Sequence, residues 1–256
     1  MVLQAACLVL FLFSTCNIWG YTEGIAYINA GHEAQSGEFP WQVSVLGRNS
    51  VGGEFRCGGV IISKNWILST ASCVKSLFEY PALILAGSLN LAKPGIVYES
   101  NRVISHGDHE DHRSRDVALI KTKHEIKFHL LASPITLAEA PISSYFSGEM
   151  AGWGAEHYKS SKKYTERLRV TNMNIISTEA CRALLAMEDE KLGEGQFCAT
   201  AIGAAACKGD EGGAFVTQNN VLSGLIDRHF CTLNDLPTVF IDVYYHRDWI
   251  RNITGI

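Results

Sequence analysis

The sequence predicts an all-β protein, exported and held together by disulfides. Three observations carry this. Short runs that mix β-branched and aromatic residues recur along the chain, separated by glycine, asparagine and proline. Helical signals are confined to two places, and the cysteines beyond an apolar leader form an even set. The strand candidates, in order, are Trp41 to Leu46, Gly59 to Ile62, Trp66 to Ser69, Val117 to Lys121, Arg169 to Ile176 and Val239 to Val243. A helix is expected from Thr178, with Glu179 near its start and Leu184 and Leu185 on its apolar side. A second helix closes the chain, because Tyr245, Trp249 and Ile253 stand four residues apart and would share one face. Neither an internal repeat nor a low-complexity linker interrupts the pattern.

A chain of 256 residues has room for one large or two small packed domains. Its 47% hydrophobic and 19% charged content fits a globular protein. Net charge is −4 with no block of like charge, so nucleic acid is not an expected partner: phosphate binding needs a clustered basic surface. Met1 to Gly20 holds no charged side chain, and its apolar run, Leu3 to Phe13, is too short to span a bilayer. Residues 1–20 read as a signal peptide without the usual basic start, and 21–27 as a short propeptide-like segment. No other stretch is apolar enough to cross a membrane, so a secreted protein without a membrane partner is expected.

Cys7 and Cys16 should leave with the leader. Cys57, Cys73, Cys181, Cys198, Cys207 and Cys231 remain, an even count that suggests three disulfides in an oxidising compartment. Spacing alone leaves their pairing open. With no C-x-x-C pair, the common zinc and thioredoxin-like readings fall away, and no metal or cofactor is expected. Asn252-Ile253-Thr254 is an N-glycosylation sequon, usable if the terminal helix leaves Asn252 in solvent.

Six local motifs go further. They are Gly37-Glu38-Phe39-Pro40-Trp41-Gln42-Val43-Ser44; Cys57-Gly58-Gly59-Val60-Ile61-Ile62 followed by Trp66-Ile67-Leu68-Ser69-Thr70-Ala71-Ser72-Cys73; and Asp116-Val117-Ala118-Leu119-Ile120-Lys121. Then come Ala151-Gly152-Trp153-Gly154, Cys207-Lys208-Gly209-Asp210-Glu211-Gly212-Gly213, and the segment from Pro237 to Ile250. In this order they resemble the successive landmarks of chymotrypsin/trypsin-like serine proteases across nearly all of the mature chain. The resemblance implies two packed antiparallel six-stranded β-barrels with a cleft between them and a C-terminal helix. It places the domain at 28–256, the first barrel at about 28–138 and the second, with the helix, at about 139–256. It also implies the pairs Cys57–Cys73, Cys181–Cys198 and Cys207–Cys231.

The family attacks a carbonyl with a serine, passes the proton to a histidine and orients that histidine with an aspartate. By the resemblance, Ser72 stands at the histidine position, and a hydroxyl that keeps its proton near neutral pH is no general base. Glu211 stands at the nucleophile position, and only Asp116 matches. Gly209 keeps the oxyanion position, but with a negative side chain beside it where the chemistry needs a positive, dry site. No catalytic residue is therefore expected. The family's substrate-pairing Ser-Trp-Gly strand is matched by Asp227, Arg228 and His229, with Phe230 alone before Cys231, one residue fewer than in a typical trypsin. His229 is expected to obstruct the specificity pocket, and Ala205 replaces the aspartate at its floor, so a lysine or arginine preference is not expected.

Asp116 and Asp227 are expected to face each other with Glu211 nearby, each carboxylate raising the others' pKa unless Arg228 or His229 turns inward. Asp116 should then cap Ser72 or nearby amides, and the cleft should be filled by its own side chains. Ile28-Asn29-Ala30-Gly31 matches the family's mature N-terminus, whose amino group pairs with the aspartate at Asp210. Tyr27 before it and the polar Asn29 argue against a trypsin-like activating cut and a normally closed activation pocket.

His106, His109 and His112, interleaved with Asp108, Glu110 and Asp111, are metal-compatible types in no established spacing and read as a solvated loop. Lys159, Lys162, Lys163 and Arg167 read as an exposed loop rather than an anion site. Loss of the histidine together with a replaced nucleophile is most similar to the inactivated serine protease paralogues of parasitic mites, relatives of the mite trypsin-like allergens. That resemblance implies a secreted pseudoprotease that binds host or self proteins through its surface and interferes with host defence, complement included. Two alternatives stand beside it: a residual or altered serine-type hydrolase, and a decoy that sequesters protease inhibitors through a preserved groove. The second is opposed by Asp227, Arg228 and His229.

Overall fold

The computed structural model describes residues 31–48, 54–75, 81–107, 115–144, 146–155, 164–231 and 236–256. A two-residue strand, β1 (His32–Glu33), precedes the first barrel. That barrel is built from β2 (Gln42–Arg48), β3 (Glu54–Ile61), β4 (Trp66–Ser69), β5 (Leu83–Ala86), β6 (Ile96–Ser105) and β7 (Ala118–Thr122). The strands close in the order β2-β3-β4-β7-β6-β5, every pairing antiparallel. A short helix, α1 (Ala71–Val74), follows β4. Closure removes the open edges that would otherwise pair with other chains. Val43, Val45, Ile67, Ile84 and Ile120 share the face that meets at Gly59, and Val60, Leu68 and Leu119 lie on the opposite face of the same strands, all fully buried. Their branched side chains suit a pleated, enclosed surface.

After β8 (Thr136–Leu137), the second barrel contains β9 (Ser147–Gly152), β10 (Arg169–Ile175), β11 (Gln196–Thr200), β12 (Ala214–Thr217), β13 (Val221–Arg228) and β14 (Thr238–Asp242). The order β10-β11-β14-β13-β12-β9 returns to β10 through an antiparallel β9–β10 pairing, so this ring is closed too. β1 adds to β10, and β8 lies parallel to β13. Between β10 and β11 runs α2 (Thr178–Ala186), whose N-terminus is capped by the Ser177 hydroxyl accepting from the Ala180 amide. The chain closes with α3 (Arg247–Thr254). Three disulfides, Cys57–Cys73, Cys181–Cys198 and Cys207–Cys231, pair as the resemblance implies. Each adds about 3 kcal/mol by the loop-entropy relation.

A ring cluster occupies the second barrel: Phe197 lies 5.4 Å from Phe215 and 5.2 Å from Phe240, and Phe215 lies 4.8 Å from Phe240. Phe215→Ala is expected to cost about 3–5 kcal/mol, read as a lower urea midpoint, because the fully buried ring leaves a cavity its neighbours cannot collapse into.

The barrels touch where side chains are missing. A Cβ on Gly58 of β3 would stand 2.6 Å from the Gly213 nitrogen, and the Gly58 amide donates to the Glu211 carbonyl at 2.7 Å. Buried Gln42 reaches from β2 to accept the Ala214 amide at 3.2 Å. These contacts seat the loop from Cys207 to Gly213 against the first barrel.

The six expected strands lie within a few residues of β2, β3, β4, β7, β10 and β14. One expectation is corrected. α3 begins at Arg247, so Tyr245 precedes it and is 52% exposed, while Ile250 forms the buried face with the half-buried Trp249 and Ile253. Buried His246 stands at the N-cap with a ψ of 3°, outside the helical range, and packs against His106 and Tyr245 just ahead of the first helical turn.

Candidate functional site

α1, tied to β3 by Cys57–Cys73, carries Ser72 on its exposed side. Asp116, buried just ahead of β7, accepts the Ser72 amide at 2.5 Å on Oδ1 and the Ser72 hydroxyl at 2.8 Å on Oδ2. The serine proton therefore points at a carboxylate, and Asp116 caps Ser72 as expected.

The second cluster is built by the loop from Cys207. Gly209 has a φ of +100°, in the region that favours glycine, and Tyr164 covers it so closely that a Cβ would meet the ring at 2.6 Å. Its amide donates to Oε2 of Glu211 at 2.7 Å, while Oε1 of Glu211 lies 2.8 Å from Nε2 of His229. Burial opposes ionisation of Glu211, but the hydrogen bond and charge of His229, with nearby amides, outweigh it and hold the carboxyl below its ordinary pKa. Asp210, fully buried between these elements, accepts the Gly154 amide at 2.7 Å and the Cys207 amide at 2.9 Å. Burial pushes its pKa up to about 7 despite those two amides.

Asp227 stands on a bulge of β13. Ile226 pairs with Phe240 and Arg228 with the adjacent Val239, so Asp227 has no counterpart on β14. Its Oδ2 accepts Nε2 of Gln196 at 2.7 Å and Nε of Arg228 at 3.2 Å. Arg228 also pairs with Glu190 at 2.7 Å and donates to the Lys191 carbonyl at 2.9 Å and to Gln196 at 3.1 Å. Burial first, then Asp116, pushes the Asp227 carboxyl well above its ordinary pKa, with Arg228 pulling the other way.

The predicted site residues thus fall into two groups: Ser72, Asp116 and Asp227; and Gly209, Glu211 and His229. Both cations turn toward carboxylates, but each takes a different one. Arg228 goes to Asp227 and Glu190, and His229 to Glu211. Ala205 is half-buried ahead of Cys207. Sequence reasoning missed Glu190, Gln196 and Tyr164. The one signal that pointed toward the first two was Arg228 itself, since a guanidinium out of water needs an acid and acceptors around it.

Residues 1–30, with the expected leader and Ile28-Asn29-Ala30, lie outside the described residues, as do His109, His112, Asp108, Glu110, Asp111, Lys159, Lys162 and Lys163. His106 packs on Trp249 at 4.7 Å, and Arg167 pairs with Glu33 at 2.8 Å. Cys207, His229 and Cys231 bring ligand-type atoms within 4.8 Å of one another, but the two sulfurs are bonded to each other. Asn252 is exposed on α3.

The family description Trypsin matches residues 28–250. The chain belongs to the trypsin family. Among curated trypsin-family proteins it is 31% identical to trypsin delta of Drosophila melanogaster over 228 residues, 87% of each chain. It is 30% identical to hypodermin-A of Hypoderma lineatum over 225 residues, 87% of this chain and 86% of that one. A solved structure described as HL collagenase superposes with a TM-score of 0.74 at 29% identity, covering 88% of this chain and 98% of that one. A trypsin-family fold with three disulfides, and no helix long and apolar enough to cross a membrane among the described residues, is consistent with a secreted protein.

Proposed function

We propose that this trypsin-family protein is a secreted pseudoprotease that acts by binding other proteins and does not cut them. The observation that carries this is the Glu211 carboxylate, which accepts the Gly209 amide and is held there by His229. Acyl transfer needs a nucleophile, a base and amides free to receive the developing oxyanion. Here a carboxylate occupies the family's nucleophile position and takes up the amide as well, while the Ser72 hydroxyl is spent on Asp116. The end of β13 gives further support. Asp227 and Arg228 are tied to Gln196 and Glu190, which disfavours a groove that grips inhibitors or substrate strands.

The partner class rests on the likeness of the residue pattern to mite pseudoproteases: a host-defence protein, a complement component foremost, engaged through the surface. The test is surface plasmon resonance of the mature, disulfide-bonded chain against purified complement proteins and a trypsin-directed protein inhibitor. Complement binding that survives Ser72→His with Glu211→Ser, with no inhibitor binding, is expected. Tight inhibitor binding without complement binding would favour the decoy.

A further inference from the structure

Asp116 and Asp227 belong to different barrels, one at the start of β7 and one on the bulge of β13, and their carboxyls are within hydrogen-bond reach of each other. Both are nearly out of water, at 6% and 8% exposure. Asp116 spends its two oxygens on donors from Ser72. Among the described residues, the donors that reach Asp227 from Gln196 and Arg228 both fall on Oδ2, so Oδ1 takes no donor from them. Among the same residues the charges around the pair do not balance. Arg228 stands beside it as a cation, and Glu190 claims the same guanidinium. His229 is turned to Glu211, and Gln196 and Ser72 are neutral. Two carboxylates in contact, out of water and short of cations, do not both ionise.

We propose that Asp227 keeps its proton and donates it to Asp116, and that this acid–carboxylate hydrogen bond clasps the two barrels together until rising pH removes it. A hydrogen bond to a charged group is among the stronger kinds, and here it links two separately closed barrels. The pKa of Asp227 moves in the matching direction, raised by burial and by Asp116. An unfolded aspartate ionises near 3.8, whereas the folded one keeps its proton higher. The clasp's contribution is therefore full below the unfolded value and is lost as pH rises through the folded one.

Asp227→Asn is the test, because an amide is the permanent analogue of the protonated acid. Its oxygen accepts from Gln196 and Arg228, and its Nδ2 donates to Asp116 at every pH. Urea unfolding of wild type and variant should separate progressively as pH rises. The ratio of their folding constants should grow roughly tenfold per unit between the unfolded and folded values of Asp227. Infrared spectra of Asp210→Asn at roughly pH 6, well above where free aspartates ionise, should show neutral carboxylic acid carbonyl intensity. That intensity should be lost when Asp227→Asn is added. Parallel stability curves, or a band indifferent to Asp227→Asn, would overturn the proposal. Should Asp227→Asn fold poorly, Asp227→Ser supplies a non-titrating hydroxyl donor and the same comparison.

Discussion

Ser72→His combined with Glu211→Ser will leave peptide hydrolysis at least about 10³-fold below that of an intact trypsin. The pair restores the residue types of a triad without restoring its surroundings. A histidine at 72 needs Asp116 as a free acceptor, but Asp116 is pressed against Asp227. The strand that should align a substrate backbone ends in Asp227, Arg228 and His229, with the first two knotted to Gln196 and Glu190. Removing Glu211 also deprives Nε2 of His229 of its carboxylate partner. Positioning errors of an ångström in such sites cost orders of magnitude in rate. The measurement is kcat/KM on a panel of peptide and ester substrates. Adding Asp227→Ser, Arg228→Trp and His229→Gly to the pair should raise the rate further, because those changes rebuild the family's substrate strand.

The second large effect is on stability against pH. Asp210 ionises near 3.8 when unfolded and near 7 in the fold, so the folded chain holds one more proton between those values. Stability should therefore fall as pH rises from about 4 to about 7, by about 4 kcal/mol from this group alone. Asp227 adds a loss of the same sign. Glu211 works in the other direction: its lowered pKa gives stability that is present above about 4.5 and is lost on acidification. The optimum should accordingly lie in weak acid. Urea midpoints measured across this range should trace that fall in the wild type, and Asp210→Asn should flatten most of it.

How much of this was legible depended on whether a feature is local. β4 and β7 were readable because their branched, apolar runs are buried on nearly every residue. β6 was not, because its middle, Glu99 to Arg102, is polar and largely exposed, and β9 carries two glycines and no β-branched residue. The Ser72–Asp116 contact and the facing of Asp116 and Asp227 followed from aligning motifs whose spatial relation the fold dictates. The partition of the two cations did not. Adjacent in sequence, Arg228 and His229 part company because Arg228 is drawn to Glu190, far along the chain after α2, and His229 to Glu211. The choice of Oε2 of Glu211 for the Gly209 amide is likewise a matter of loop geometry, set by a glycine at positive φ beneath Tyr164.

The most direct test of the proposed loss of proteolysis is exposure of the purified mature chain to a fluorophosphonate probe, with peptide turnover followed at high protein concentration. With Glu211 at the nucleophile position and on the Gly209 amide, no covalent label and no turnover above background are expected. Stoichiometric labelling abolished by Ser72→Ala, or turnover that copurifies with the chain and is lost in the same variant, would contradict it.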